Sequence, residues 1–116
     1  MTVATGQDPR RSDALIDGVE VRGFDVHGKS AIGVWGDVSG YQRFLLDFNP
    51  DIIVNFAAQQ WATDLALPLL PQLKARKVFV PTGFSALSDP MFRDYFHSMG
   101  EWMRAYDACV FLSDSY

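Results

Sequence analysis

The sequence predicts an α/β domain with a mostly parallel β-sheet, and three observations predict it. Short, β-branched, nearly continuous apolar runs occur at 51–58 (DIIVNFAA), 77–82 (KVFVPT) and 107–113 (DACVFLS), the pattern of strands buried on both faces. Between them lie stripes of helical period: Tyr41, Phe44, Leu45 and Phe48 at i, i+3, i+4 and i+7, and a longer stripe from Met91 to Tyr106. Strand and helix alternate along the chain, which implies right-handed crossovers and a sheet covered by helices on both faces.

The elements follow in order. Thr2 to Thr5 is a short β-prone run stopped by Gly6, and 7–17, polar and containing Pro9, reads as a loop. Val19 and Val21, with Phe24 and Val26, alternate with Glu20, Arg22 and Asp25, giving a strand over 19–26 with one wet face or an edge position. The Gly-rich 28–36 stretch reads as a loop, after which Ser39 is positioned to cap a helix that Asn49-Pro50 ends. In 61–74, Trp61, Leu65, Leu69 and Leu73 recur every four residues, but Pro68 and Pro71 require either a kink or an end near Leu67 with a restart. Pro81 closes the strand at 77–82, where no ladder donor is needed. Asp89-Pro90 reads as a cap followed by proline at the first helical position. Met91, Phe92, Tyr95, Phe96, Met99, Trp102, Met103 and Tyr106 then repeat for four turns, the strongest local signal in the chain. The stripe is first of all a core face, and wide enough for one flank to meet a partner or a membrane surface.

Composition bounds the function. The 116 residues support one domain, and 48 % hydrophobic with 14 % aromatic content supplies a core. Ten Lys+Arg against fourteen Asp+Glu give a net charge of -4, which argues against a nucleic-acid backbone binder. The single cysteine, Cys109, excludes an internal disulfide and, within an apolar run, reads as an inert core thiol. His27 and His97 are far apart, so no metal site and no cofactor are expected. His97, beside Phe96 and Met99, reads as structural or surface rather than a general base. The glycines form neither G-x-G-x-x-G nor a Walker loop. No apolar run approaches a membrane span and the N-terminal residues lack a secretion layout, so the expectation is a cytoplasmic chain.

Ligands of open parallel sheets bind beyond the carboxyl ends of the strands. Three loops leave such ends: 58–61, 83–87 and 113–116. They carry Gln59, Gln60, Thr82, Ser85, Ser113, Asp114 and Ser115, with Trp61 and Phe84 beside them. Amides, hydroxyls and aromatic faces suit a polyhydroxylated ligand. The same small polar residues also occur at such turns for purely structural reasons.

Four segments carry a resemblance: MTVATG (1–6), DGVEVRGF (17–24), NPDIIVNFAAQQW (49–61), and KVFVPTGFSAL (77–87) with AYDACVFLSDSY (105–116). Together they resemble the second to sixth strands of the N-terminal domain of a family 4 glycosyltransferase of the GT-B architecture. The resemblance implies a partial N-terminal Rossmann-like, three-layer domain over 1–116, lacking the first strand and the second GT-B domain. It implies a fragment of a retaining enzyme that moves a sugar from a nucleotide-sugar donor to a sugar or lipid-linked acceptor. This half would supply the acceptor cleft, built from Gln59, Gln60, Trp61, Thr82, Gly83, Phe84 and Ser113, and would be inactive alone. It further implies location in the cytoplasm or peripherally at the inner face of a membrane. Many relatives carry a histidine just after the fifth strand. Here the turn is Pro81-Thr82-Gly83, so no catalytic residue is assigned. Without a first strand, 2–5 must pair with 51–57 or 1–26 must hang loosely, and unpaired edges invite self-association.

Two other classes remain open. One is a non-enzymatic α/β binding or interaction module using the same loops or the aromatic helix. The other is a flavodoxin-like or receiver-like domain, disfavoured because Gly6-Gln7-Asp8-Pro9 is a poor phosphate loop and Ala57, Ala58, Thr82 and Gly83 are not acidic.

Overall fold

The computed structural model describes residues 1–12 and 14–113. Its first unit grows from a turn. Asp17 and Gly18 both take positive φ (49° and 80°), the backbone of a type I′ hairpin, and join β2 (Leu15–Ile16) to β3 (Val19–Phe24) antiparallel. β1 (Thr2–Gly6) pairs parallel to β3 on its other side, with Val3 beside Val21, so the sheet order is β1-β3-β2. The N-terminal run thus finds its partner within 1–26 and not in 51–57, and the segment is paired rather than loose.

The strand expected over 19–26 divides. Val26 leaves β3's sheet and, 2 % exposed, opens a second hairpin, β4 (Val26–Lys29) with β5 (Gly33–Gly36). The Gly-rich stretch read as a loop is this hairpin. Its glycines are steric requirements: a Cβ on Gly28 would sit 2.1 Å from the Gly33 carbonyl oxygen, and one on Gly36 would sit 2.1 Å from that of Asp25.

Helix α1 (Val38–Phe48) is capped by Asp37, whose Oδ1 accepts from the Gly40 amide at 3.1 Å; the cap is Asp37 rather than Ser39. Asn49 stops the helix in the left-handed region (φ 52°) ahead of Pro50. Tyr41 and Leu45 face the core, and Phe24 of β3 packs against Tyr41 and Phe44 with ring centroids 5.2 and 5.1 Å apart.

The second half carries the parallel sheet β6-β7-β8, built from β6 (Ile52–Phe56), β7 (Arg76–Val80) and β8 (Ala108–Cys109). Val54 lies beside Val78, and Val78 beside Ala108. Between β6 and β7 the two prolines act as the pattern demanded. α2 (Trp61–Asp64) lasts one turn, and a 3-10 helix containing Pro68 and Pro71 follows over Leu67–Gln72. Before α3 (Arg93–Ala105), Asp89 caps a short 3-10 turn by accepting from the Met91 amide at 2.9 Å. The third strand ends after two residues instead of running over 107–113.

One core joins these parts. Phe79 is fully buried and stacks on Tyr106 at 4.9 Å. Leu45, Leu67, Leu70, Leu73, Phe92 and Met99 fill the space between. Most of the 91–106 stripe is spent here, with Phe92, Tyr95, Met99 and Tyr106 buried. Ile53, Asn55, Phe79 and Cys109 line the core face of β6-β7-β8, and α1, the 61–72 helices and α3 all pack on that side. The expectation of helices on both faces fails. Ile52, Val54 and Phe56 point the other way and are 59, 53 and 60 % exposed. Among the described residues the chain is a mixed α/β fold with one all-parallel sheet covered on one face. No helix among them is long and apolar enough to cross a membrane.

Candidate functional site

The carboxyl ends of β6 and β7 form one rim. The backbone pairing continues past both strands, with the Ala57 amide donating to the Val80 carbonyl at 2.8 Å and the Ala58 amide to that of Pro81 at 3.1 Å. Here the chain departs from ordinary backbone geometry. Ala57, Gln59, Thr82 and Ala86 have φ of 75, 58, 63 and 55°, four of the six positive-φ non-glycine residues among those described. Alanine and the β-branched Thr82 gain nothing locally from that conformation, so each costs on the order of 1–2 kcal/mol that the surrounding structure must supply.

A buried polar network supplies it. Tyr95 on α3 points its hydroxyl back to the rim, where it accepts from the Gln59 amide at 2.9 Å and donates to Asp64 Oδ1 at 2.8 Å. Asp64 Oδ2 accepts from the Ser30 amide at 2.9 Å, tying in the β4–β5 turn. Thr63, fully buried, donates its hydroxyl to the Ala57 carbonyl at 2.7 Å. Three segments distant in sequence, around Ser30, residues 57–64 and Tyr95, meet at these contacts. Burial raises the Asp64 carboxyl above its usual value of 3.8, against the opposing pull of the Ser30 and Tyr95 hydrogen bonds and the Lys29 charge. Burial, with the Asp64 charge second, also raises Tyr95, which therefore stays a protonated donor at neutral pH.

Above this base, Gln59 latches the next loop. Its Nε2 donates to the Ser85 carbonyl at 3.0 Å, and its Oε1 accepts from the Ser85 amide at 2.8 Å and the Ser85 hydroxyl at 3.2 Å. The Thr82 hydroxyl donates to the Pro81 carbonyl at 2.6 Å. Gly83 (φ 148°) has open space where a side chain would be.

The expected site residues therefore separate. Gln59, Thr82 and Gly83 come together at the rim, joined by Ser85. Gln60 turns its amide back onto the Phe56 carbonyl. Trp61 packs edge-on against Tyr41 at 4.9 Å and Phe84 against Phe96 at 5.9 Å, so both serve the core. Ser113 is exposed beyond β8, and Asp114 and Ser115 lie outside the described residues. Asp64 and Tyr95 are the functional-looking pair that sequence reading passes over. The available signals were a lone carboxylate in the apolar WATDLAL run and a tyrosine among phenylalanines and methionines.

The remaining titratable candidates stay apart. His97 is exposed on α3, and His27 pairs with Asp25 at 2.9 Å on the hairpin. The Cys109 thiol is raised by burial and contacts the Met103 carbonyl at 3.7 Å, in keeping with a core thiol. Among the described residues no His, Cys, Asp and Glu cluster has the geometry of a metal site. Two concavities lie elsewhere: one at the opposite end of the parallel sheet between Leu45, Ile53 and Leu73, the other beside Arg22, whose guanidinium covers Phe44 and Phe48 at 5.2 and 5.6 Å. No protein-family model, curated protein or solved structure matches the chain.

Proposed function

We propose that this chain is the acceptor-side part of a retaining glycosyltransferase of Rossmann-like, GT-B type. It contributes a ledge for a polyhydroxylated acceptor and has no transferase activity by itself. The observation that carries the reading is the strained rim at the carboxyl ends of β6 and β7, held by the Tyr95–Asp64 network and bearing Gln59, Thr82, Gly83 and Ser85. Strain maintained at ligand-facing strand ends is how folds keep a binding surface in one geometry. Amide and hydroxyl groups there match the alternating donors and acceptors of a sugar. The motif resemblance over most of the chain supports the same reading.

Chemistry on a nucleotide sugar requires donors and cations aimed at the leaving diphosphate. The rim residues Gln59, Thr82, Gly83 and Ser85 carry no cation, and in this reading the donor side comes from elsewhere. Two measurements test the proposal. Incubation of the chain with nucleotide sugars and saccharide acceptors is expected to give no transfer, and robust turnover refutes the acceptor-side assignment. Amide NMR with hexoses and N-acetylhexosamines is expected to shift Gln59, Gly83 and Ser85. Silence at those amides, with the fold intact, removes the acceptor ledge and favours the alternative of a non-enzymatic interaction module, for which the bare face of the parallel sheet speaks.

A further inference from the structure

The face of β6-β7-β8 turned away from the helices is apolar except for Arg76 at one corner, and it is open except at Val80, which lies beside Phe56 and is 8 % exposed. Ile52, Val54, Phe56 and Val110 are 59, 53, 60 and 45 % exposed, and Val78 and Ala108 lie between them by register. Arg76, beside Ile52 at the amino end of β7, is the one charge that the strand register places on this face. Parallel sheets are ordinarily covered on both faces. The open area is roughly 450 Å², within the range of the largest patch on a typical monomer, which is often functional. β6 is also an edge strand, and Ile52–Phe56 contains no lysine or proline to guard it.

We infer that this face is the interface of a reversible homodimer in which two copies pack sheet on sheet about a twofold axis. The surface itself selects the occupant. An apolar face whose one charge, Arg76, sits at a corner has little to specify a polar ligand. The net charge of -4 opposes an anionic bilayer. A second copy supplies an identical flat apolar face. With the twofold axis lying in the interface and running across the strands, the two Arg76 side chains fall at opposite ends, so no like charges meet. Side chains from the two faces then interdigitate across the ~10 Å spacing of a sheet sandwich. Burying roughly 900 Å² in all places the contact among weak, concentration-dependent interfaces rather than permanent ones. The inference does not depend on the acceptor ledge, which lies at the strand ends.

Sedimentation velocity of the 116-residue chain through a micromolar concentration series tests it. The expected result is a monomer passing to a species of twice the 13.0 kDa mass and no further. Val54→Lys with Phe56→Lys places two charges in the interface and is expected to raise the concentration for half-dimerisation by at least about 100-fold. Ile32→Lys, 56 % exposed on the hairpin turn, is expected to leave it unchanged. Far-UV circular dichroism checks folding. Should the double variant not fold, Val54→Thr, nearly the same shape, is expected to weaken association several-fold. A native chain monomeric throughout, a folded double variant that still dimerises, or loss of association in Ile32→Lys overturns the inference. A ladder of larger species also overturns it, in favour of open-ended pairing at the β6 edge.

Discussion

Strand β6 buries its asparagine and exposes its phenylalanine. On the helix side, Asn55 is 6 % exposed and its Oδ1 accepts from the Tyr106 hydroxyl at 2.8 Å. On the other side, Phe56 is 60 % exposed. Hydropathy alone would place the two the other way round. The difference teaches that the covered face is fixed by specific pairings, its buried asparagine matched by one partner, while the bare face, apolar but for Arg76 at one corner, has no such pairing. No buried side-chain polar atom among the described residues lacks a partner. A matched face specifies one packing, and an unmatched one remains available to another surface.

The comparison breaks most sharply at the aromatic residues. Phe79→Ala, on the covered face, removes a fully buried ring stacked on Tyr106 and is expected to cost about 3–5 kcal/mol in urea unfolding. Phe56→Ala, on the bare face, is expected to stay within about 1 kcal/mol in dilute solution. Equal losses would erase the distinction between the faces. Tyr106→Phe is the next largest change. It leaves the buried Asn55 oxygen without its donor and is expected to cost about 1–3 kcal/mol, read by the same unfolding curves.

At the rim, Tyr95→Phe removes both a donor to Asp64 and an acceptor for the Gln59 amide, at an expected cost of about 1–3 kcal/mol. It also sharpens the electrostatic reading. Because burial raises the folded pKa of Asp64, this group favours the folded state most below its unfolded value near 3.8. That contribution is lost as pH rises through the folded pKa. Carboxyl NMR is expected to give a midpoint above 3.8 in the native chain, and higher still in Tyr95→Phe, where a hydrogen bond to the ionised form is gone. A midpoint at or below 3.8 would contradict the burial. The smallest effect is expected for Gln59→Ala: global stability nearly unchanged, but faster amide exchange at Ser85 as the latch opens.

Much of the fold was legible from local rules. Asn49-Pro50 ends a helix, Asp89-Pro90 begins a helical turn, and Pro68 and Pro71 reduce a four-residue repeat to one α-turn and a 3-10 segment. Asp17-Gly18 is an equally strong hairpin signal, hidden at the end of a stretch whose polar composition reads as a loop. The division of 19–26 into two sheets was not legible. Its alternation is continuous, and only the positive-φ Gly36 packed against Asp25 shows where the chain turns away. For the site, Gln59, Thr82 and Gly83 could be placed at strand ends from the element order. Gln60, Trp61 and Phe84 could not be separated from them, because sequence position does not reveal which way a side chain turns.

The sequence by itself determined the alternation of helix and parallel strand from α1 onward, and the signals at Asn49-Pro50, Pro68, Pro71 and Asp89-Pro90 that start and stop those elements, since periodicity, proline and capping chemistry act within a few residues of chain. Tertiary structure alone decided that all the helices gather on one side of the β6-β7-β8 sheet, that Asp64 and Tyr95 meet from 31 residues apart, and that Val54 rather than Asn55 faces outward. Those outcomes depend on which distant surfaces and hydrogen-bonding partners satisfy one another. That is a property of the folded packing, and no local pattern encodes it.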